Sequence, residues 1–203
     1  MLRISNVRRW LTPLTVLATL AAATPALAQF TDSYNFLKAV REKDSRKAME
    51  ILDKPGSTIV NTRDADTGET ALHIAVKRSD VAWVGFVLQK GGNVNARDRE
   101  GNTALMLASQ ARWAEGAQVL VQVRAQVDQQ NRLGETALQM AVRNRDITIA
   151  KLLLDAGASP DINDSTGVSA RALADSDPRA AAVARLLKDV PVRKARPIQG
   201  PSI

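Results

Sequence analysis

Hydrophobic and polar positions recur along this chain with a period of 33 residues. Each period carries a glycine, followed two positions later by Thr or Ser and then by Ala. Leucine usually comes next, and another alanine closes the pattern. Copies that keep step at several positions indicate an internal repeat, in which each copy is one supersecondary unit. The period is marked by Gly68, Gly101, Gly134 and Gly167.

Each copy is predicted to form two helices. Thr70 can begin the first helix, because its hydroxyl can accept a hydrogen bond from an unpaired N–H of the first turn. Leu72 and Val76 are four positions apart and therefore share one helix face. A second helix is expected over about residues 80 to 89, ending at Gly91, which tolerates the left-handed conformation of a helix terminus. One copy cannot bury its apolar face alone, so the copies are predicted to stack into a solenoid.

The two ends of the repeat array are degenerate. Segments 36–40 and 48–52 align with the first full copy at an offset of 36, with the three extra residues in a loop between Pro55 and Asp66. The last copy has Arg171 in place of a core leucine, on a face expected to look outward. Terminal copies with polar outer faces are typical caps of a solenoid. The prediction is an all-α solenoid of about five helix pairs: a cap at about 30–63, repeats at about 64–97, 98–130 and 131–163, and a cap at 164–190.

The period and its motif resemble the ankyrin-repeat family, whose repeat carries a T-x-L-x-x-A core. The family's usual proline is alanine in all four copies, and its usual histidine survives only as His73, for which the resemblance implies structural hydrogen bonds. The resemblance covers about residues 34 to 190. The motifs are Thr70-Ala-Leu-His-Ile-Ala75, Thr103-Ala-Leu-Met-Leu-Ala108, Thr136-Ala-Leu-Gln-Met-Ala141 and Ser169-Ala-Arg-Ala-Leu-Ala174.

The resemblance implies a protein that binds another protein in a concave groove of hairpin tips and first helices. Mixed charges and the apolar tip residue Leu133 favour a protein partner over a polyanion, which would select uniform positive charge. The alternative is electrostatic association with an anionic envelope surface or polymer through Arg and Lys residues and a basic tail. The expected partner-binding residues are Glu69, Lys77, Arg78, Arg99, Glu100, Asn102, Gln110, Arg132, Leu133, Glu135, Arg143 and Asn144.

The first 28 residues have the pattern of a cleaved signal peptide. A basic start is followed by an apolar run over residues 10–23, which is shorter than the roughly 20 residues of a spanning helix. Ala26 and Ala28 then supply the small residues of a cleavage site before Gln29. We therefore expect an exported chain without a transmembrane span after processing, in the periplasm of a Gram-negative bacterium. The Arg8-Arg9 pair leaves a twin-arginine export route open.

The amino-acid composition excludes several classes of catalytic and metal-binding site. The chain has 28 Lys and Arg, 21 Asp and Glu, one His and no Cys, which removes disulfides, thiolate metal sites and histidine pairs. No phosphate-binding loop or dinucleotide fingerprint is present. The formal charge of +7 lies partly in the predicted signal and partly in residues 191–203, a basic, proline-rich tail expected to be disordered. We expect no catalytic residues, cofactor, metal or specific nucleic-acid partner, and a monomer that binds another exported protein.

Two positions depart from the repeat pattern. Trp113 stands where the flanking copies have Asp80 and Asp146, at the solvent end of the second helix. It is either a partner contact or an isolated exposed apolar residue, which is common on protein surfaces. Arg124 stands where the flanking copies have glycine, which predicts a left-handed backbone at a non-glycine residue.

Overall fold

The computed structural model describes residues 24–54 and 58–191, with side chains from residue 31 onward. In this part of the chain ten α-helices form five consecutive pairs, as the repeat pattern predicts. Short 3-10 helices span Ile59–Asn61 and Pro178–Ala180. The α-helices are α1 (Thr24–Glu42), α2 (Ser45–Leu52), α3 (Ala71–Lys77), α4 (Val81–Gln89), α5 (Ala104–Gln110), α6 (Ala114–Gln122), α7 (Ala137–Arg143), α8 (Ile147–Asp155), α9 (Ala170–Ser176) and α10 (Ala181–Lys188).

Side chains that cap the first turn mark where the helices begin. Thr103 and Thr136 accept hydrogen bonds from the backbone N–H three residues later, at the starts of α5 and α7. Asp80 and Asp146 do the same at the starts of α4 and α8. Such caps satisfy donors that the first helical turn leaves unpaired. The repeating hydroxyl and the repeating aspartate therefore fix where each pair of helices begins.

The core lies between two rows of helices. First helices contact one another in the order α1, α3, α5, α7 and α9, while α4, α6, α8 and α10 form the second row. Leu72, Leu105 and Leu138 are at most 1% exposed, at the same position of three successive copies. Alanines beside them are equally buried, and their small side chains let neighbouring helices approach closely. Stacking thus buries apolar surface that a single copy would leave exposed to solvent.

Hairpin tips between copies form a ladder of backbone hydrogen bonds. Arg99 N donates to Thr67 O at 2.9 Å, Arg132 N to Glu100 O at 2.9 Å, and Ser165 N to Leu133 O at 2.8 Å. The tip glycines have left-handed backbone angles and lie against the following tip. A Cβ at Gly134 would lie 2.7 Å from Ser165 N, whereas one at Gly167 would meet nothing within 4 Å. Among residues 58–191, nothing therefore covers the last tip as each earlier tip is covered.

Turns within the pairs also pass through the left-handed region, at residues other than glycine. Lys43, Ser79, Arg112 and Arg145 have φ between 50° and 60°. Three of these residues carry a cation that pairs with an acid at the corresponding turn of the next copy. Exposed pairs of this kind contribute about 0–1 kcal/mol each. They are Lys43–Asp80 at 2.9 Å, Arg112–Asp146 at 3.7 Å and Arg145–Asp177 at 2.7 Å.

The two departures from the pattern are both explained by local structure. Trp113 is half-buried against the core, and its ring fills the space beside Gly116, where a Cβ would lie 2.0 Å from it. Trp83 and Ile149 occupy the position of Gly116 in the flanking copies, so Trp113 replaces their volume. Arg124 has φ of +64°, which confirms the predicted left-handed turn.

Arg171 does not simply look outward, as its replacement of a core leucine suggested. Its guanidinium donates to Asp161 at 2.8 Å and to the carbonyl oxygens of Leu187 and Val190. The residue is half-buried, and its charge satisfies carbonyl groups at the end of α10. Arg171 therefore holds the two helices of the last copy, α9 and α10, together.

Several boundary predictions fall outside the described residues. These predictions concern residues 1–23, which carry most of the predicted signal peptide, and residues 192–203 of the predicted tail. The predicted cleavage point before Gln29 lies within α1, which begins at Thr24. Across the described ranges, no helix combines the length and the apolar character needed to cross a bilayer.

Candidate functional site

Tips and first helices of successive copies lie side by side along the solenoid, and all twelve predicted binding residues lie on them. Stacking of the first helices and of the tips brings equivalent positions of neighbouring copies together. The predicted residues nevertheless differ in what their side chains do. Some point to solvent, some pair with each other, and some hold the copies together.

Two ion pairs of the same geometry lie in the first and third full copies. Lys77 Nζ lies 2.6 Å from Glu69 Oε1, and Arg143 Nη1 lies 2.5 Å from Glu135 Oε1. The acids are only 13% and 12% exposed, whereas the cations are 56% and 52% exposed. The hydrogen bond that Lys77 donates to Glu69 raises the pKa of Lys77. Carboxylates thus form the floor at these positions, and the cations face solvent above them.

Arg78 and Asn144 belong to the framework between copies. Arg78 Nη1 donates to Val40 O at 2.6 Å, at the end of α1. Asn144 Nδ2 donates in the same way to Ser109 O and Gln110 O, at the end of α5. Terminal carbonyls of a helix lack partners within it, so these two side chains complete the preceding copy. Their polar groups are committed to stacking.

Asn102 and Glu135 take part in a polar network below the tips. Asn131 Nδ2 donates to Asn102 Oδ1 at 3.0 Å and to Glu135 Oε2 at 3.1 Å. Asp98 accepts from the Asn102 backbone N–H at 2.7 Å. These bonds link successive hairpins and hold their shape. Gln110, by contrast, is an exposed side chain at the end of α5.

Four tip residues are the most accessible of the predicted set. Arg99, Glu100, Arg132 and Leu133 are all exposed, and Leu133 has 61% of its surface open to solvent. Arg99 Nη2 donates to the Ala65 carbonyl at 2.8 Å, which ties it to the preceding tip. The remaining tip side chains, those of Glu100, Arg132 and Leu133, are open to solvent.

A shallow pocket of about 270 Å³ lies at the C-terminal end of the row of tips and first helices. Leu133 and Glu135 line it from one copy, and Val168 and Leu173 from the next. The sequence analysis did not identify Leu173, whose equivalents Ile74, Leu107 and Met140 are buried. Leu173 is half-buried, and within the described residues no further copy packs against it.

The single histidine is structural, as the resemblance implies. His73 is fully buried; its Nδ1 accepts from Thr70 N at 3.2 Å, and its Nε2 lies 3.1 Å from Asn102 O in the next copy. Burial lowers its pKa. Gln139 makes the equivalent pair of bonds two copies later. Within the described residues no group of three His, Asp or Glu side chains is arranged to hold a metal ion.

Comparison with known proteins agrees with this architecture. The family model for ankyrin repeats (3 copies) matches residues 36–131 and 84–164. Ankyrin repeat domain-containing protein 63 of Homo sapiens is 35% identical over 89 residues, which cover 42% of this chain and 23% of that protein. The Mus musculus protein of the same name gives the same values. The chain thus spans about a quarter of the length of these relatives.

Proposed function

Since the chain belongs to the ankyrin-repeat family, we propose that it is a non-catalytic module that binds another protein in its groove. Ankyrin repeats generally mediate protein–protein interaction. The observation that carries the proposal is the contrast between buried and open positions in the same copies. Tip residues Arg132 and Leu133 are exposed beside a fully packed core. A few such residues usually dominate the affinity of an interface.

A double substitution tests this proposal. Arg132→Ala with Leu133→Ala should leave the fold intact, because both side chains are exposed and the tip ladder uses only backbone atoms. Capture of the partner should weaken by more than tenfold, which corresponds to about 1.4 kcal/mol. The matched control is Val123→Ala with Arg124→Ala, an exposed apolar–arginine pair at the end of α6. The control should bind like the wild type.

The measurement is quantitative capture from the organism's own envelope fraction, with circular dichroism to verify folding. Partners retained by the wild type and the control, and lost by the groove variant, would support the proposal. The competing function, electrostatic association with an anionic surface, predicts the reverse. Deleting residues 191–203 would then abolish capture, the groove variant would behave like the wild type, and moderate salt would release the protein.

We also propose that the protein acts after export to the bacterial envelope. The support is the basic, apolar and small-residue pattern of the first 28 residues. N-terminal sequencing of the exported form should yield Gln29 as its first residue. Recovery of a chain with an intact Met1 would contradict export by a cleaved signal, without affecting the proposal for the groove.

A further inference from the structure

The repeat period continues into residues 192–203. Gly200 follows the last tip glycine, Gly167, by 33 residues, which is the interval between all earlier tip glycines. Ser202 comes two residues later, where the earlier copies have Thr or Ser. The composition of this segment predicts disorder, but composition takes no account of position, and residues that keep step with a period indicate a repeat. The segment therefore carries the spacing of one more hairpin tip.

The chain leaves the last helix pair through the same turn as the copies before it. Val190 N donates to Leu187 O at 3.2 Å, which is the bond that Gly157 N makes one period earlier. In the preceding copy Ser165, which donates to the neighbouring tip, comes eight residues after this turn, and Ile198 comes eight residues after Val190. The connecting segment thus has the length that brings a backbone N–H to the preceding tip.

The last tip offers the acceptor that each earlier tip offers to its successor. The carbonyl groups of Thr67, Glu100 and Leu133 each accept from a backbone N–H of the following tip. In the described part of the chain, no N–H donates to the equivalent carbonyl of Thr166. Leu173, which lines the same pocket, is half-buried, whereas its equivalents in the earlier copies are at most 8% exposed. A carbonyl group and an apolar side chain are therefore available to a further tip.

We propose that residues 196–202 form a further hairpin tip that packs on the last one, with the Ile198 N–H donating to Thr166 O. The segment then covers Leu173 at the C-terminal end of the described array. The occupant of this end is thus a segment of the chain itself, because it continues the register of the copies that it follows. This contact does not depend on the proposed function, whose test substitutions lie on the preceding tip.

The segment retains some bonds of a tip and lacks others. Arg196 stands four residues before its glycine, as Arg97 does, and Arg97 Nε donates to the Gly101 carbonyl at 3.1 Å. Pro197 and Pro201 have no N–H, so they cannot make the two backbone donations that close each of the three preceding tips from within. The further tip is therefore held mainly by its bond to the preceding tip, and it opens more readily than the repeats do.

Amide hydrogen exchange of the full chain, measured by NMR and compared with a synthetic peptide of residues 191–203, tests this contact. The Ile198 amide should exchange at least about tenfold more slowly in the chain than in the peptide, because a bonded amide exchanges only when the tip opens. Gln199 is the matched control. Its equivalents Leu133 and Thr166 donate only to the side chain two residues earlier, where the segment has proline, so its exchange should match the peptide within about twofold.

Two substitutions at Ile198 separate the backbone bond from the side chain. Ile198→Pro removes the N–H, so the Gly167 amide and Leu173 methyl resonances should move to the positions that they have in a chain shortened after Pro191. Ile198→Ala keeps the N–H and should leave these resonances at their wild-type positions, because the three preceding copies carry Arg or Ser there.

Three outcomes would overturn the inference. The first is exchange of the Ile198 amide at the peptide rate, or equal protection of Ile198 and Gln199. The second is a set of Gly167 and Leu173 resonances that is the same in the full and the shortened chain. The third is protection that disappears on dilution, because the segment would then cover the last tip of a second copy rather than its own.

Discussion

Replacing His73 with glutamine would remove the chain's only histidine while keeping the hydrogen bonds that it makes. Gln139 shows that glutamine fits this position. Its Oε1 accepts from Thr136 N at 2.7 Å, and its Nε2 donates to Val168 O at 2.7 Å in the next copy. At pH 7.5 the variant should therefore have a free energy of unfolding within about 1 kcal/mol of the wild type, the net worth of one hydrogen bond.

The wild type and the His73→Gln variant should differ in stability at acidic pH. Burial lowers the pKa of His73 below its usual value of 6.5, so the unfolded chain binds a proton more readily than the folded chain. The wild type consequently has its full stability above about pH 6.5 and loses stability as the pH falls below that value. If His73 stays neutral in the folded chain down to pH 5, the loss relative to the glutamine variant is at most about 2 kcal/mol.

Urea unfolding of both proteins between pH 7.5 and pH 5 measures this difference. Carboxylates with lowered pKa values, such as Asp64 and Asp80, are present in both proteins, so their effects cancel in the comparison. The wild-type midpoint should fall relative to that of His73→Gln over this interval. Parallel pH profiles would show that His73 is not held in its neutral form by burial and would refute the reasoning.

Three further predictions concern the backbone and core. Gly134→Ala should destabilise more than Gly167→Ala, because both positions are left-handed, at about 1 kcal/mol of strain each, but only the first new Cβ would press on the next tip. Equal losses of stability for the two variants in urea melts would contradict the close contact between Gly134 and the next tip. Arg124→Gly should be neutral or slightly stabilising, because about 1 kcal/mol of relieved strain is offset by about 0.5–1 kcal/mol of backbone entropy; a clearly lowered thermal midpoint would reveal an unrecognised contact of Arg124. Gly116→Ala should cost about 1–3 kcal/mol, because its Cβ would overlap the Trp113 ring. An unchanged melting curve and tryptophan emission would count against that packing.

Features that repeat in register could be predicted from the sequence. Caps such as Thr103 and buried positions such as Leu105 depend on local hydrogen bonding and helix periodicity, which are visible in every copy. The left-handed turn at Arg124 was predictable because the neighbouring copies carry glycine there. Left-handed turns at Ser79 and Arg145 were not, because no copy marks that turn with glycine.

The main features that the sequence did not predict are the hydrogen bonds between neighbouring copies. Arg78 and Asn144 were expected to contact a partner, yet the structure directs both to carbonyl groups at the end of the preceding first helix. Their reach across the stack depends on the spacing of the copies, which the period does not state. Trp113 illustrates the same limit. Its role depends on the missing side chain of Gly116, three positions along its own helix pair.

The second full copy has uncharged side chains at the two positions where its neighbours carry an ion pair, which has a consequence for how those pairs act. Glu69–Lys77 and Glu135–Arg143 are separated by a copy that carries Asn102 and Gln110 at the same positions. Packed helices lie about 8–10 Å apart, so two such spacings place the ion pairs about 16–20 Å apart, beyond the screening length of about 8 Å at physiological ionic strength. Each pair is therefore largely screened from the other. Substitutions at one pair should add to those at the other without coupling.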